Sequence, residues 1–334
     1  MCNKRITLIN TWKPHVSLYI YSRLLSSVSS DIAILDLTEE ITGKGVIKDL
    51  KSFILTFTGI NLFYKIKNEN SIIHYIDPAI APLNNESTSV VTIWDNPSVV
   101  LNTDLYMNNY LMKIHFKGNM KRFLNFQNVI TPTNYIKNAL EEYGFEGDIK
   151  SIFFPVRNTF KQLQDKIEIR KDLGLPLEKK LILSVSVDTK RKNLEMVKRV
   201  SQKLDDSYKI VRVGMPINDS ITFIGVNDET LVKIYNACDL LLMPSLEEGQ
   251  GVPISEAFKV GLPVVASDIP VFREVAGNAA IFIDPKDETS IIRGIRDSIS
   301  AKEELEKKGL ERSDLFSYSN FKMKMLDYYN HIDL

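Results

Sequence analysis

The chain has 334 residues, of which 44% are hydrophobic and 25% charged, and its 42 basic residues balance its 42 acidic residues. A neutral balance argues against bulk nucleic-acid binding, which needs a strong basic excess. No apolar run approaches the ~18 residues of a membrane span, and Cys2 and Cys238 cannot form a disulfide framework. We therefore expect a cytoplasmic protein with two domains.

Short apolar runs alternate with helical stretches through the first half of the chain. Strands are predicted at ITLIN, DIAILDL, SFILTFTG, SIIHYI, VVTIW and NVITPT. Helices are predicted between several of them, at HVSLYIYSRLLSSV and TNYIKNALEEYG for example. This alternation predicts a parallel sheet with right-handed crossovers.

The second half repeats the alternation after a junction at 151–176. Its strands are predicted at LILSVSVD, YKIVRVG, ITFIG, DLLLMP, PVVAS and AIFID, and helices lie between most of them. These runs are nearly continuously apolar, as expected for strands buried on both faces. Two open α/β domains in sequence predict a cleft between the carboxyl ends of their strands, where ligands usually bind.

The stretch PSLEEGQGVPISEAFKVG follows one of these buried strands. Proline is favoured in the first turn of a helix, and we place Pro253 at the first helical position. Gly261 is expected to end that helix. Gly249 and Gly251 remove side chains just before it, so backbone N–H groups from Gly249 to Val252, including that of Gln250, can approach a ligand. Together with the helix N-terminus, this arrangement suits a phosphate or diphosphate.

Two glutamates flank this turn, Glu248 before it and Glu256 inside the helix. Carboxylates beside an anion site make sense if the ligand also carries hydroxyl groups, because a carboxylate accepts hydrogen bonds from sugar diols. A nucleotide-diphosphate sugar has both features. The alternative is a solvated loop glutamate followed by a helix glutamate that complements the dipole.

The run ITFIGVNDETLVKIYNACDLLLMPSLEEGQGVPISEAFKVGLPVVASDIPVFREVAGNAAIFIDPKD resembles the donor-binding half of retaining glycosyltransferases of family 4, which have the GT-B fold. The resemblance covers essentially the whole second half of the chain. It implies that Glu248 contacts the transferred sugar and that Glu256 holds the ribose hydroxyls.

The segment LILSVSVDTKRKNLEMV is similar to the strand, loop and helix whose basic residues hold the donor diphosphate in that family. The resemblance points to Arg191 and Lys192, with Lys190 beside them, and such cations would stabilise a leaving diphosphate. A solvated turn is the alternative. Gly225, Val226 and Asn227 end a strand where the family cradles the base, although this loop is one residue shorter than the commonest pattern and an ordinary loop is as good an explanation.

The first half departs from the family. The loop TWKPHVSLYIYSRLL lacks the usual glycine, and His15 is a candidate acceptor contact or a plain surface residue. VVTIWDNPSVV aligns with a T-x-H-D strand end, where Trp94 replaces the histidine and Asp95 is kept as a candidate catalytic residue. His74 ends another strand, as a substitute acceptor contact or as a structural histidine.

Residues 105–124 lie within the run LYMNNYLMKIHFKGNMKRFLNF and carry Lys113, His115, Lys117, Lys121 and Arg122 among apolar residues. As a basic amphipathic helix it would lie on the inner face of a membrane, and the alternative is a core-packed helix with a solvated basic face. The sequence has no D-x-D and no His–Cys cluster at zinc spacing, so we expect no metal and no further cofactor.

We therefore predict an α/β protein of the GT-B fold, two Rossmann-like domains facing across a cleft. Residues 1–155, with a helix at 317–334 crossing back, would bind the acceptor, and 156–316 the nucleotide sugar. The predicted reaction moves a mannose- or glucose-like hexose from a UDP- or GDP-linked donor to a glycan, lipid-linked or other hydroxyl acceptor, with retention, in glycoconjugate biosynthesis. The alternatives are a degenerate protein that binds a nucleotide sugar or a partner enzyme without turnover, and a sugar-nucleotide epimerase.

Overall fold

A computed structural model describes most of the chain, namely residues 4–10, 17–36, 71–76, 78, 88–106, 117, 124–217 and 219–333. The chain divides into two compact units. The first is drawn from residues 1–103, 107–154 and 319–334, and the second from 104–106 and 155–318. The predicted domains were divided at 155 and 316, so the last helix falls in the first unit in both descriptions.

The first unit contains a parallel sheet, which has six strands within the described residues. The strands are Arg5–Asn10 (β1), Ile32–Asp36 (β2), Ser71–Tyr75 (β3), Ser89–Thr92 (β4), Asn128–Thr131 (β5) and Asp148–Ser151 (β6). Their order is β2-β1-β3-β4-β5-β6, and β3 and β4 are buried along their whole length. The helices are Ser17–Ser26 (α1), Pro97–Asn102 (α2) and Asn134–Glu142 (α3).

The second unit repeats the architecture with six more parallel strands in its described part. They are Lys180–Val185 (β7), Tyr208–Val213 (β8), Ile221–Phe223 (β9), Leu240–Met243 (β10), Val264–Ser267 (β11) and Ala280–Ile283 (β12). Their order is β12-β11-β10-β7-β8-β9. The central strands β10 and β11 are fully buried, as expected for strands covered on both faces.

Helices connect these strands and continue to the end of the chain. They are Lys166–Asp172 (α4), Leu194–Ser201 (α5), Asp228–Ala237 (α6), Val252–Lys259 (α7), Pro270–Ala276 (α8), Glu288–Ser300 (α9), Lys302–Ser313 (α10) and Tyr318–His331 (α11). Apolar side chains of α5 and α9 pack together with those of β7, β10 and β11 in one buried cluster.

The helix α11 packs into the first unit. The Phe321 ring lies 5.8 Å from that of Tyr21, and the Tyr329 hydroxyl lies 2.7 Å from His74 Nδ1. Both Phe321 and Tyr329 are buried. A ring contact and a hydrogen bond therefore join α11 to α1 and β3.

Most predicted elements are present where the structure describes the chain, and the differences include one strand and one helix start. The strand β6 was not predicted, because Asp148 and Lys150 break its apolar pattern and only Ile149 of its four residues is buried. Pro253 occupies the second helical position, since α7 begins at Val252. The predicted strand SFILTFTG lies outside the described residues.

None of the helices within the described residues combines the length and the hydropathy that a membrane span requires.

Candidate functional site

The loops after β7 and β10 are joined by backbone and side-chain hydrogen bonds. The Leu246 N–H donates to the Arg191 carbonyl at 2.7 Å. Asn193 donates from Nδ2 to the carbonyls of Pro244 at 3.0 Å and Pro285 at 2.8 Å. Asn193 has a φ of 56°, a conformation that asparagine tolerates better than most residues. The loops therefore form one connected platform at the carboxyl ends of adjacent strands.

Glu248 lies at the centre of this platform and collects three donors. Arg191 Nη1 lies 2.8 Å from Oε2, Lys192 Nζ contacts Oε1, and the Ser245 hydroxyl donates to Oε1 at 2.9 Å. Glu248 is only 4% exposed. The structure thus brings together the three residues that the sequence proposed for the sugar and the diphosphate.

The ionisation of Glu248 is set by these cations. Burial raises the pKa of the carboxyl, but the charges of Lys192 and Arg191 and the hydrogen bonds from Lys192 and Ser245 outweigh it, so that the pKa is lowered overall. Glu248 is therefore an anion at neutral pH. It is a hydrogen-bond acceptor and has no proton to give as an acid.

Glu256 lies in α7 and has a different set of partners. Arg157 donates from Nη2 to Oε1 at 2.9 Å, and the Tyr235 hydroxyl donates to Oε2 at 2.7 Å. The Glu256 side chain is buried. Burial raises the pKa of its carboxyl, and the opposing effects of Arg157 and Tyr235 do not cancel that rise.

Gly251 connects the two carboxylates, because it directly precedes α7 and has a φ of +80°. A Cβ at this position would lie 2.5 Å from Phe272 Cε1. A side chain is therefore disfavoured by both backbone conformation and space. The glycine is explained by the fold of this turn, whether or not a ligand approaches it.

The remaining predicted donor residues lie around this platform. Lys190 is exposed in a 3₁₀ turn, Lys190–Lys192, and Gln250 is buried. Gly225 has a φ of +63°, and Asn227 caps α6 by accepting a hydrogen bond from the Thr230 N–H at 2.9 Å. The cap gives Asn227 a structural role, and contact of this loop with a base stays a prediction.

A cavity of about 510 Å³ adjoins the platform at the carboxyl ends of β7 and β8. Its walls combine apolar side chains with two lysines, two carboxylates and an amide, which belong to Lys190, Lys198, Asp188, Glu195 and Asn193. A buried arginine in β8, Arg212, donates to the carbonyl of Ser184 at 2.8 Å and to that of Ser186. These hydrogen bonds hold the backbone in place where β7 ends and the loop that carries Arg191 begins.

His74 belongs to the first unit and is 0% exposed. Its Nδ1 lies 2.7 Å from the Tyr329 hydroxyl and its Nε2 2.6 Å from the Thr92 hydroxyl. Burial lowers the pKa of the imidazole to about 3, so the ring is neutral at physiological pH. The enclosure and paired nitrogens argue against the acceptor contact and favour the structural histidine.

Trp94, the replacement for the family histidine, is packed into the first unit. Its Nε1 donates to the Ile76 carbonyl at 2.9 Å, and its ring meets Tyr21 edge-on at 4.8 Å. Asp95 is half-buried and precedes Asn96, which caps α2 by accepting from Ser98 and Val99. A catalytic role for Asp95 stays a prediction.

The other predicted acceptor and membrane contacts fall largely outside the described residues. His15 is not described, nor is most of 105–124; within that segment, Lys117 is described and exposed. In the part of the chain that the structure describes, no group of three or more His, Cys, Asp or Glu residues is placed to hold a metal ion.

The sequence did not point to Arg157, Tyr235 or Ser245, which complete the surroundings of the two glutamates. Ser245 lies three residues before Glu248 and could have been found as a local partner. Arg157 and Tyr235 lie far from Glu256 in sequence, and no spacing pattern connects them to it.

Comparisons with known proteins agree with this architecture. The chain is 25% identical to the O-antigen chain mannosyltransferase RfbU of Salmonella typhimurium over 203 residues, which cover 55% of each protein. The aligned region thus spans about half the length of that curated relative.

Solved structures match over the whole chain. Sucrose-phosphate synthase from Thermosynechococcus elongatus has a TM-score of 0.76 at 14% identity and covers 98% of both chains. Anabaena HepE in complex with UDP-glucose has a TM-score of 0.74 at 14% identity, over 97% of this chain and 99% of that one. These likenesses establish the fold.

Residues 165–310 match the family model described as glycosyl transferases group 1, and this range holds β7 to β12 and both glutamates of the site. In this range the chain is similar to the glycosyl transferases group 1 family, and the chain has the GT-B fold.

Proposed function

We propose that this protein is a retaining glycosyltransferase, which moves a hexose from a nucleotide-diphosphate sugar to a hydroxyl acceptor. The observation that carries the proposal is the convergence of Arg191 and Lys192 on the buried Glu248, directly before the N-terminus of α7. Two cations, a helix N-terminus and one ionised carboxylate match a ligand that combines a diphosphate with sugar hydroxyls.

Each residue has a proposed role in this reaction. Arg191 and Lys192 bind the diphosphate and stabilise the charge that develops as it leaves. Glu248 accepts hydrogen bonds from the sugar and orients it, and Glu256 accepts them from the ribose hydroxyls. With two cations beside the leaving group, the site supplies the neutralisation that Mg²⁺ gives elsewhere, and we propose that transfer needs no metal.

The proposed chemistry is a front-face displacement. The bond between the anomeric carbon and the phosphate oxygen breaks, and its electron pair leaves with the diphosphate. The acceptor oxygen forms its bond to the same face of that carbon, and its proton passes to the leaving phosphate. The anomeric configuration is therefore retained.

The names of similar proteins support the proposed donor and acceptor classes. The relative RfbU is named as an O-antigen chain mannosyltransferase, and the structural neighbour HepE was solved with UDP-glucose. These names support a mannose- or glucose-like hexose carried by UDP or GDP. We propose a glycan or a lipid-linked sugar as the acceptor, in the assembly of a polysaccharide or glycoconjugate.

A second candidate function is a degenerate protein that binds a nucleotide sugar, or a partner glycosyltransferase, without turnover. It is favoured by Trp94, which fills the position of the family histidine and is held by Ile76 and Tyr21. The ordered Arg191, Lys192 and Glu248 cluster favours the enzyme instead.

The first experiment is a thermal-shift screen of the purified protein with UDP, GDP and ADP and their sugars, with and without EDTA. Selective stabilisation by one nucleotide, unchanged by EDTA, is expected. Incubation of the matching sugar nucleotide with and without a mixture of sugar acceptors then separates the candidates. Release of nucleotide that depends on acceptor supports the transferase, conversion without acceptor supports an epimerase, and binding without either supports the degenerate protein.

A further inference from the structure

Arg157 is a residue of the second unit that no sequence motif singled out. It lies three residues after Phe154, where the chain passes from the first unit to the second. Its side chain is only 15% exposed and contacts two carboxylates, Glu256 through Nη2 at 2.9 Å and Asp228 through Nη1. One guanidinium thus joins α7 to the first turn of α6.

The guanidinium is also held on its face. The Arg157 Cζ lies 5.1 Å from the centre of the Phe160 ring, and Phe160 meets Tyr235 edge-on at 5.3 Å. The Tyr235 hydroxyl returns to Glu256 at 2.7 Å. These four residues contact one another in a ring. Arg157 therefore holds the Glu256 carboxylate directly through the ion pair and indirectly through Phe160 and Tyr235.

The charges around Glu256 make Arg157 important for the ionisation of its carboxyl group. The groups that face this carboxylate are Arg157, the Tyr235 hydroxyl and, further off, Asp228. Burial raises the pKa of Glu256, Asp228 raises it further, and Arg157 is the cation that opposes both. Loss of Arg157 would leave a buried carboxyl with no cation among these groups, and such a carboxyl takes up a proton.

We propose that Arg157 is a positioning residue for the nucleoside half of the donor: it keeps Glu256 ionised and oriented towards the ribose hydroxyls, and joins it to α6 directly after the loop Gly225–Asn227. This inference rests on the proposed function. An ionised carboxylate accepts hydrogen bonds from both hydroxyls of a ribose, whereas a protonated one must also place its own O–H. Arg157 therefore acts on the nucleotide through Glu256.

The test compares nucleotide affinity with pH. Binding of UDP and of GDP is measured by calorimetry between about pH 6 and pH 9, for the wild-type protein, Arg157→Met and Arg157→Lys. The matched control is Arg273→Met. Arg273 also pairs with a carboxylate, Asp268, and lies over a phenyl ring, Phe282, but it is exposed in α8 and its carboxylate partner is neither glutamate of the site.

Arg157→Met should bind the preferred nucleotide about tenfold more weakly at neutral pH. The deficit should shrink as the pH rises, because Glu256 then loses its proton without help. The wild-type protein and Arg273→Met should show no such rise in affinity with pH. Arg157→Lys keeps the positive charge and should restore most of the affinity and the flat profile.

Two results would overturn the inference: wild-type affinity in Arg157→Met at every pH, or an equal loss at every pH, which a merely structural residue would give. If Arg157→Met does not fold by circular dichroism, Arg157→Gln decides the matter, since it also removes the positive charge beside Glu256 and must show the same pH-dependent deficit. If the wild-type protein binds no nucleotide, the proposed function itself fails, and this outcome is distinct from the first two.

Discussion

Glu248 and Glu256 lie eight residues apart on either side of one turn, and both are nearly inaccessible to solvent. The pKa values of their carboxyl groups nevertheless shift in opposite directions. The pKa of Glu248 is lowered against burial by Lys192 and Arg191, whereas that of Glu256 is raised by burial against the single cation Arg157. The number of cations that reach a buried carboxylate decides the direction in which its pKa shifts, and burial alone does not.

This difference corresponds to two proposed tasks. Glu248 must remain an anion beside a diphosphate, although the proposed diphosphate also needs Arg191 and Lys192, the two cations that contact Glu248. Glu256 is proposed to bind ribose hydroxyls, which are neutral donors, and for this task its environment needs only enough positive charge to keep it ionised. Substitution of each carboxylate in turn separates the two proposed tasks.

The largest effect is expected for Glu248→Gln. The substitution keeps the shape of the side chain but removes the anion that Arg191 and Lys192 contact, and with it the proposed hold on the transferred sugar. Turnover should fall by about 100-fold or more, while nucleotide affinity changes much less. Steady-state kinetics and calorimetry on the same preparation measure the two quantities. An equal loss of turnover and of nucleotide affinity would contradict the proposed difference between Glu248 and Glu256.

The next effect concerns the turn that joins the two carboxylates. Gly251→Ala places a Cβ 2.5 Å from Phe272 Cε1 at a φ of +80°, and we expect a loss of about 2 to 3 kcal/mol in the free energy of unfolding. Gly144→Ala is the matched control, because Gly144 has a φ of +102° but open space around a Cβ. It should cost about 1 kcal/mol. Urea unfolding compares them, and equal losses would show that Phe272 moves aside.

Glu256→Gln is expected to reverse the pattern of Glu248→Gln. It removes the acceptor proposed for the ribose hydroxyls, so nucleotide affinity should fall about tenfold. Turnover at saturating donor should change less. The same calorimetric and kinetic measurements apply, and a variant that binds UDP and GDP normally would exclude Glu256 from the nucleotide site.

The smallest effect is the pH dependence of stability. Glu248 has a folded-state pKa below its ordinary value of 4.5, so its stabilising contribution is present above that value and is lost as the pH falls through the folded-state pKa. Glu256 has a raised pKa, so its contribution is present below 4.5 and is lost as the pH rises through the folded-state pKa.

Unfolding free energies of the wild-type protein and both glutamine variants, measured from about pH 3 to pH 8, test these signs. Glu248→Gln should lose less stability than the wild type on acidification. Glu256→Gln should gain relative to the wild type as the pH rises. Each difference should be of the order of 1 kcal/mol, and parallel curves for all three proteins would contradict it.

The strands could be predicted where the apolar runs are long and β-branched, as in β7, β10 and β11. The edge strand β6 was missed, because a strand with one buried residue in four has little apolar signal. The sequence correctly placed His74 near the end of a strand, but it could not show which groups surround the imidazole. Tyr329, which hydrogen-bonds to the ring, lies 255 positions later in the chain.

The sequence by itself determined the α/β alternation, the turn with Gly251 and Gly261, and the presence of two glutamates and two cations near it, because these features depend on local spacing and backbone preference. Only the tertiary structure decided that Arg191 and Lys192 converge on Glu248 and that Arg157 and Tyr235 converge on Glu256. The charge state of a buried carboxylate depends on groups brought together by the sheet from distant parts of the chain, and no local pattern encodes their distance.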